Sequence, residues 1–180
     1  MKICYASDIH LDRASCFITN PGDAKVLVLA GDILELRDLQ IKSELSYDRY
    51  DEFFKCVSDE FEYVLWVFGN HEYYGTDLIS GPEFAQRYID ANGFGNIKIL
   101  KRNSIQIDDV TFHGATLWTD YNRDSPLVKL RASLMADFKM TKLRNRGEKV
   151  ENFITPDDIL DEFNADLGFI KKSLVETKTV

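Results

Sequence analysis

Residues 63–73 read Tyr-Val-Leu-Trp-Val-Phe-Gly-Asn-His-Glu-Tyr, an apolar run that stops abruptly at Gly69-Asn70-His71-Glu72. A run of mostly β-branched and aromatic residues predicts a strand buried on both faces, and such strands belong to parallel or sandwiched sheets. The polar cluster then falls at the strand's carboxyl end, where open α/β sheets bind their ligands. Gly69 lets the backbone turn without a β-carbon clash, so that Asn70 and His71 point into one cavity. A neutral carbonyl oxygen beside an imidazole suits a divalent metal and a proton-transfer partner respectively. By itself the tetrapeptide reads first as an ordinary turn with a surface or core histidine, so the functional reading depends on how other strands end.

Two earlier strands end in matching chemistry. Lys2 to Ala6, KICYA, opens into Ser7-Asp8-Ile9-His10. In an extended backbone Asp8 and His10 project to the same side, and a carboxylate and an imidazole on one face can share one metal ion. Val26 to Ala30, VLVLA, ends in Gly31-Asp32. Three buried strands thus terminate in Asp8/His10, Asp32 and Asn70/His71.

With 180 residues, 44% hydrophobic and 29% charged, the chain is expected to form a single soluble domain over residues 1–180 with a proper core. It shows no membrane-spanning run and no hydrophobic leader after Met1-Lys2, which predicts a cytoplasmic location. Cys4, Cys16 and Cys56 are odd in number and lack Cys-x-x-Cys spacing, so they read as reduced packing residues. Thirty acidic against twenty-two basic residues leave a formal charge of −8, which argues against extended nucleic-acid binding.

The rest of the chain supplies cover for the sheet. Tyr47 to Phe61 carries a helical apolar stripe, and the order strand, helix, strand predicts parallel crossovers. A second helix is expected over Glu83 to Ala91, closed by Asn92-Gly93, then a short strand, Ile97 to Leu100. Ser104–Ile107 and Val110–Phe112 flank Asp108-Asp109 as a hairpin. His113 reads as structural, and Trp118 and Tyr121 as core residues with an aromatic wall as the alternative. Ser125-Pro126 predicts a helix through about Lys139. Lys142 to Lys149 is a basic loop. Thr155-Pro156-Asp157-Asp158 resembles a capping box opening a helix with Ile159, Phe163, Leu167, Ile170 and Leu174 on one face. Thr177 to Val180 reads as the start of a strand.

The ordered motifs Asp8-Ile9-His10, Gly31-Asp32 and Gly69-Asn70-His71-Glu72, each after an apolar strand, resemble those of the calcineurin-like metallophosphoesterase superfamily. Gly114–Asp120 and Met135-Ala136-Asp137-Phe138 further resemble a bacterial and phage branch of it. The resemblance implies an α/β fold, a β-sandwich flanked by helices, of which this chain carries the N-terminal portion. It implies hydrolysis of a phosphate mono- or diester by metal-activated hydroxide, with two divalent ions, manganese, iron or zinc. Asp8 and His10 would hold one metal, Asp32 would bridge both, Asn70 would serve the other, and His71 would be the acid. Glu35, three residues after Asp32, stands where relatives carry an acidic residue that orients the catalytic histidine. Relatives follow it at once with a phosphate-binding arginine, whereas this chain has Leu36 and only then Arg37.

The family also supplies three later histidines, whereas this sequence has only His10, His71 and His113. The expectations are therefore an enzyme whose site is incomplete in this chain, or a non-catalytic binding domain, or a fragment completed by a second chain. The expected substrate is a small phosphoester, with nucleotides among the candidates. Self-association through an unpaired strand edge is expected as well.

Overall fold

Strand β3 (Tyr63–Val67) is the centre of the architecture, and Val64, Leu65 and Trp66 are all fully buried. The computed structural model describes residues 1–41, 44–143 and 152–177. β1 (Ile3–Ala6), β2 (Val26–Ala30), β3 and β4 (Ile97–Ile99) form one parallel sheet in that order. The register sets Leu29 beside Trp66 and Val28 beside Leu65, so alternate residues of each strand serve opposite faces.

Helices cover the first face: α1 (Leu36–Ile41), α2 (Glu44–Glu60) and α3 (Ser80–Asn92). Phe53, Phe54 and Val57 of α2 and Ala85, Tyr88 and Ile89 of α3 join Leu27, Leu29, Val64 and Trp66 in one apolar core. The Phe54 ring lies 5.0 Å from Trp66 and 5.8 Å from Tyr88. Gly93, with φ 74°, ends α3 as predicted.

A hairpin covers the second face. β5 (Asn103–Ile107) and β6 (Val110–Gly114) pair antiparallel across Asp108-Asp109, and Asp108 takes the left-handed turn conformation, φ 52°. Ile105, Ile107 and Phe112 close over Val26 and Leu65. Lys25 Nζ, 2.8 Å from both carboxylate oxygens of Asp108, ties the hairpin tip to the start of β2. Both faces of β2 and β3 are thus covered over most of their length, as their composition requires, with Ala30 exposed at the end of β2.

Several expectations need correction. The helix predicted from Ser125 to about Lys139 is two pieces, α5 (Pro126–Ala132) and α6 (Asp137–Met140). Ser133 Oγ donates to Leu130 O at 2.8 Å, a local bond that competes with helix continuation. Ser125 makes no side-chain cap bond. Just before α5, the turn α4 (Tyr121–Asp124) winds left-handed, from φ 50° at Tyr121 to 63° at Asp124, with the Tyr121 ring in the core. Lys142 lies in β7 (Lys142–Leu143), paired with β8 (Asn152–Phe153); residues 144–149 of the predicted basic loop fall outside the described ones. Thr177, expected to begin a strand, ends helix α7 (Pro156–Thr177), and residues 178–180 are outside the described set.

The start of α7 is a true capping box, with Asp in place of the usual Glu. Asp158 Oδ2 accepts from Thr155 N at 2.7 Å, and Asp158 N donates to Thr155 Oγ1 at 3.3 Å. The apolar stripe of α7 is buried at Ile159 but 48% exposed at Leu174, so its covering fades along the helix. No helix among the described residues is long and apolar enough to cross a membrane.

Candidate metal centre

The hydrogen-bond ladder between β1 and β2 continues past the strand ends and carries the first two motifs with it. Asp8 N donates to Gly31 O at 3.1 Å, His10 N to Asp32 O at 3.0 Å, and Leu11 N to Ile33 O at 2.8 Å. Asp8, His10 and Asp32 nevertheless have φ of 55°, 51° and 56°. Asp8 and His10 therefore converge through left-handed backbone and not, as expected, through an extended strand. Three such residues cost about 1–3 kcal/mol each, and strain of this kind persists where the surroundings over-determine it.

Glu72 supplies much of that determination. Its side chain is fully buried and accepts three backbone amides: Asp32 N at 2.9 Å, Gly69 N at 2.7 Å and Ile33 N at 2.7 Å. One carboxylate thus clasps the loops after β2 and β3. Burial pushes this carboxyl up to about 7 from 4.5, against the pull of the amides. In the sequence only the place of Glu72 directly after Gly-Asn-His hints at this role.

Gly31 and Gly69 let the two loops touch. A β-carbon on Gly31, where φ is 87°, would lie 2.9 Å from the Gly69 Cα; one on Gly69 would fall 2.2 Å from Asp32 Oδ1. Gly69 is therefore required for close approach to Asp32, not for an unusual turn. His71 N then donates to Asp32 Oδ1 at 3.1 Å, which orients the Asp32 carboxylate.

Of the predicted site residues, Asp8, His10 and Asp32 come together, with candidate ligand atoms all within 4.8 Å of one another. His10, Asp12 and His71 form a second such group. His10 and His71 stand edge to face, centroids 4.5 Å apart. His10 Nδ1, His71 Nδ1 and Asp12 Oδ1 are buried without a hydrogen-bond partner, and His10 Nδ1 is 3.9 Å from Asp12 Oδ1. Unmatched imidazole nitrogens among carboxylates are a donor set that fits a borderline divalent ion. Asp12 was not anticipated; the alternation Asp8-x-His10-x-Asp12 was its only trace in the sequence.

Asn70 Nδ2 donates to Asp137 Oδ1 at 2.8 Å and to the Tyr74 hydroxyl at 3.1 Å. The Tyr74 ring lies 4.4 Å from the His71 ring. Glu35 is buried, but its carboxylate faces Arg37 Nε at 2.8 Å in an ion pair without hydrogen-bond geometry. Among the described residues no hydrogen bond joins Glu35 to His71. Burial holds Glu35 above the usual carboxylate range, with Arg37 pulling the other way. His113 sits on β6, bonded through Nδ1 to Ser104 Oγ at 2.7 Å, a structural place as expected.

Three loop motifs thus meet at the carboxyl edge of a parallel sheet, and it is comparison with known proteins that places this arrangement in a family. Residues 1–167 match the calcineurin-like phosphoesterase family, and the chain belongs to it. Over 131 residues, 64% of this chain, it is 30% identical to the uncharacterised protein L509 of Acanthamoeba polyphaga mimivirus and spans 44% of that protein. It is similar in fold to the crystal structure of the phosphopantetheinyl hydrolase PptH from Mycobacterium tuberculosis. That match has a TM-score of 0.56 at 18% identity and covers 91% of this chain and 60% of that one. This chain thus spans about half the length of the curated relative.

Proposed function

We propose that the chain hydrolyses a phosphate mono- or diester at the carboxyl edge of the sheet, using two divalent cations such as manganese, iron or zinc. The observation that carries this is the convergence of ligand atoms of Asp8, His10 and Asp32 within 4.8 Å, beside the Nδ1 atoms of His10 and His71, which are buried without a hydrogen-bond partner. Asp8 and His10 would hold one cation, Asp32 would bridge, and Asn70 would serve the second through its carbonyl oxygen. Bound there, the cations would supply Lewis acidity toward the phosphoryl oxygens and lower the pKa of a coordinated water. His71 donates a proton to the departing oxygen, held near Asp32 by its own backbone amide. Glu35 is engaged with Arg37, and among the described residues no hydrogen bond joins it to His71. The family and the neighbouring structure support a hydrolase; the two-cation mechanism and the substrate are our reading.

The test is manganese-stimulated release of p-nitrophenol from an aryl phosphate and a bis-aryl phosphodiester by the full chain. Asp32→Asn is expected to lower the rate by at least two orders of magnitude at unchanged thermal stability. An unaltered rate rejects Asp32 as the bridge.

One observation favours a second reading, a binding domain without catalysis. Each convergent group contains only three side chains among the described residues, and the sequence holds three histidines in all. Under that reading calorimetry shows no heat with manganese and no ester is cleaved, although the protein melts cooperatively.

A further inference from the structure

The segment around Asp137 stood out in the sequence without a role, and the structure brings it 67 positions back to Asn70. A carboxylate only accepts hydrogen bonds, so the Asn70 amide nitrogen must face Asp137. The second Nδ2 proton goes to the Tyr74 hydroxyl. With both amide protons committed, Asn70 Oδ1 is directed away from Asp137. Tyr74 is 5% exposed and touches both motif residues at once, bonding Asn70 and packing its ring against that of His71 at a 33° tilt. Asp137 itself falls in neither convergent ligand group among the described residues.

We propose that Asp137 and Tyr74 are positioning residues: Asp137 presents the Asn70 carbonyl oxygen to a divalent cation, and Tyr74 locks Asn70 and the plane of the His71 ring together. The inference rests on Asn70 being a cation ligand. It makes α6, remote in sequence, a support of the site, so that displacement of α6 would release Asn70. Outer partners of this kind typically change metal affinity 10–100-fold when removed.

The experiment is titration of manganese into the full chain by calorimetry, for wild type, Asn70→Ala, Asp137→Ala, Asp137→Asn, Tyr74→Phe and the Asn70→Ala/Asp137→Ala double variant. Asp137→Ala is expected to weaken the Asn70-dependent binding about 10–100-fold. Asp137→Asn keeps an oxygen acceptor and is expected within a few-fold of wild type. Tyr74→Phe, which keeps the ring, falls between them. In the Asn70→Ala background, Asp137→Ala is expected to add nothing. If Asn70→Ala weakens binding and Asp137→Ala does not, positioning is overturned and the ligand reading stands. Full additivity in the double variant makes Asp137 an independent ligand or a purely structural residue, and also overturns it. Unchanged binding in Asn70→Ala overturns both readings. Melting curves accompany each titration; if Asp137→Ala fails to fold, Asp137→Ser, whose shorter side chain withdraws the acceptor from Asn70, replaces it with the same expected loss, and wild-type affinity in Tyr74→Phe refutes the Tyr74 role.

Discussion

Glu72 Oε2 accepts the backbone amide of Asp32 at 2.9 Å, forty residues away in sequence, and the same oxygen takes Gly69 N at 2.7 Å. Motif residues from two strand tips are therefore held by one buried carboxylate. Glu72→Gln turns an amide group toward one of these donors and leaves a buried N–H unpaired, at about 1–3 kcal/mol. For a chain of this length that lowers the melting temperature by roughly 2–12 °C. Melting followed by circular dichroism checks it; a shift under 1 °C would show that the clasp contributes little.

The same carboxyl sets a pH dependence. Glu72 titrates near 7 when folded and near its ordinary 4.5 when unfolded. Below 4.5 both states hold the proton, and its stabilising contribution is fully present. Between 4.5 and about 7 only the folded state keeps it, so the free energy of unfolding falls as pH rises. Glu35 and Asp166, also raised by burial, act in the same direction. Chemical denaturation in chelator at steps from pH 4.5 to 7.5 is expected to show this slope, and Glu72→Gln to flatten it. A slope of opposite sign contradicts the assignment.

Gly69→Ala sets a β-carbon 2.2 Å from Asp32 Oδ1, whereas the same change at Gly95 meets nothing within 4 Å. The first is expected to cost about 1–3 kcal/mol of stability through overpacking. Gly95→Ala is the control, within about 0.5 kcal/mol of wild type. Equal stability of the two variants would show that the loops after β2 and β3 can separate without cost.

Manganese at about 100 times its dissociation constant is expected to stabilise the fold by about 2.7 kcal/mol, a rise of roughly 5–11 °C in melting temperature. Asp8→Ala and His10→Ala should abolish the rise. Retention of the full shift in both would move the cation elsewhere.

β1 pairs only with β2 among the described strands, and Ile3 and Tyr5, which share one face of this edge strand, are 44% and 84% exposed. An apolar, unpaired edge favours association of copies of this chain. Light scattering is expected to give a mass that grows with concentration and returns to monomer in Tyr5→Lys; monomer at every concentration in wild type rejects the idea.

Local composition was enough to read the buried strands β2 and β3, the hairpin at Asp108-Asp109, the cap at Gly93 and the capping box at Thr155, because each follows from apolar runs and turn chemistry within a few residues; β1, expected to be buried as well, is an edge strand with Ile3 and Tyr5 exposed. The motif residues Asp8, His10, Asp32, Asn70 and His71 were legible for the same reason, as polar stops on apolar strands. How they meet was not. The left-handed backbone at Asp8, His10 and Asp32, the Gly69–Asp32 approach, the Glu72 clasp and the Asn70–Asp137 bond depend on contacts spanning 3 to 67 positions. Such contacts exist only once parallel strands have brought the loops to one edge. Local sequence carries no information about which distant amide or carboxylate will satisfy a given side chain, so the site's donors were readable beforehand, and only the tertiary structure decided what holds them in place.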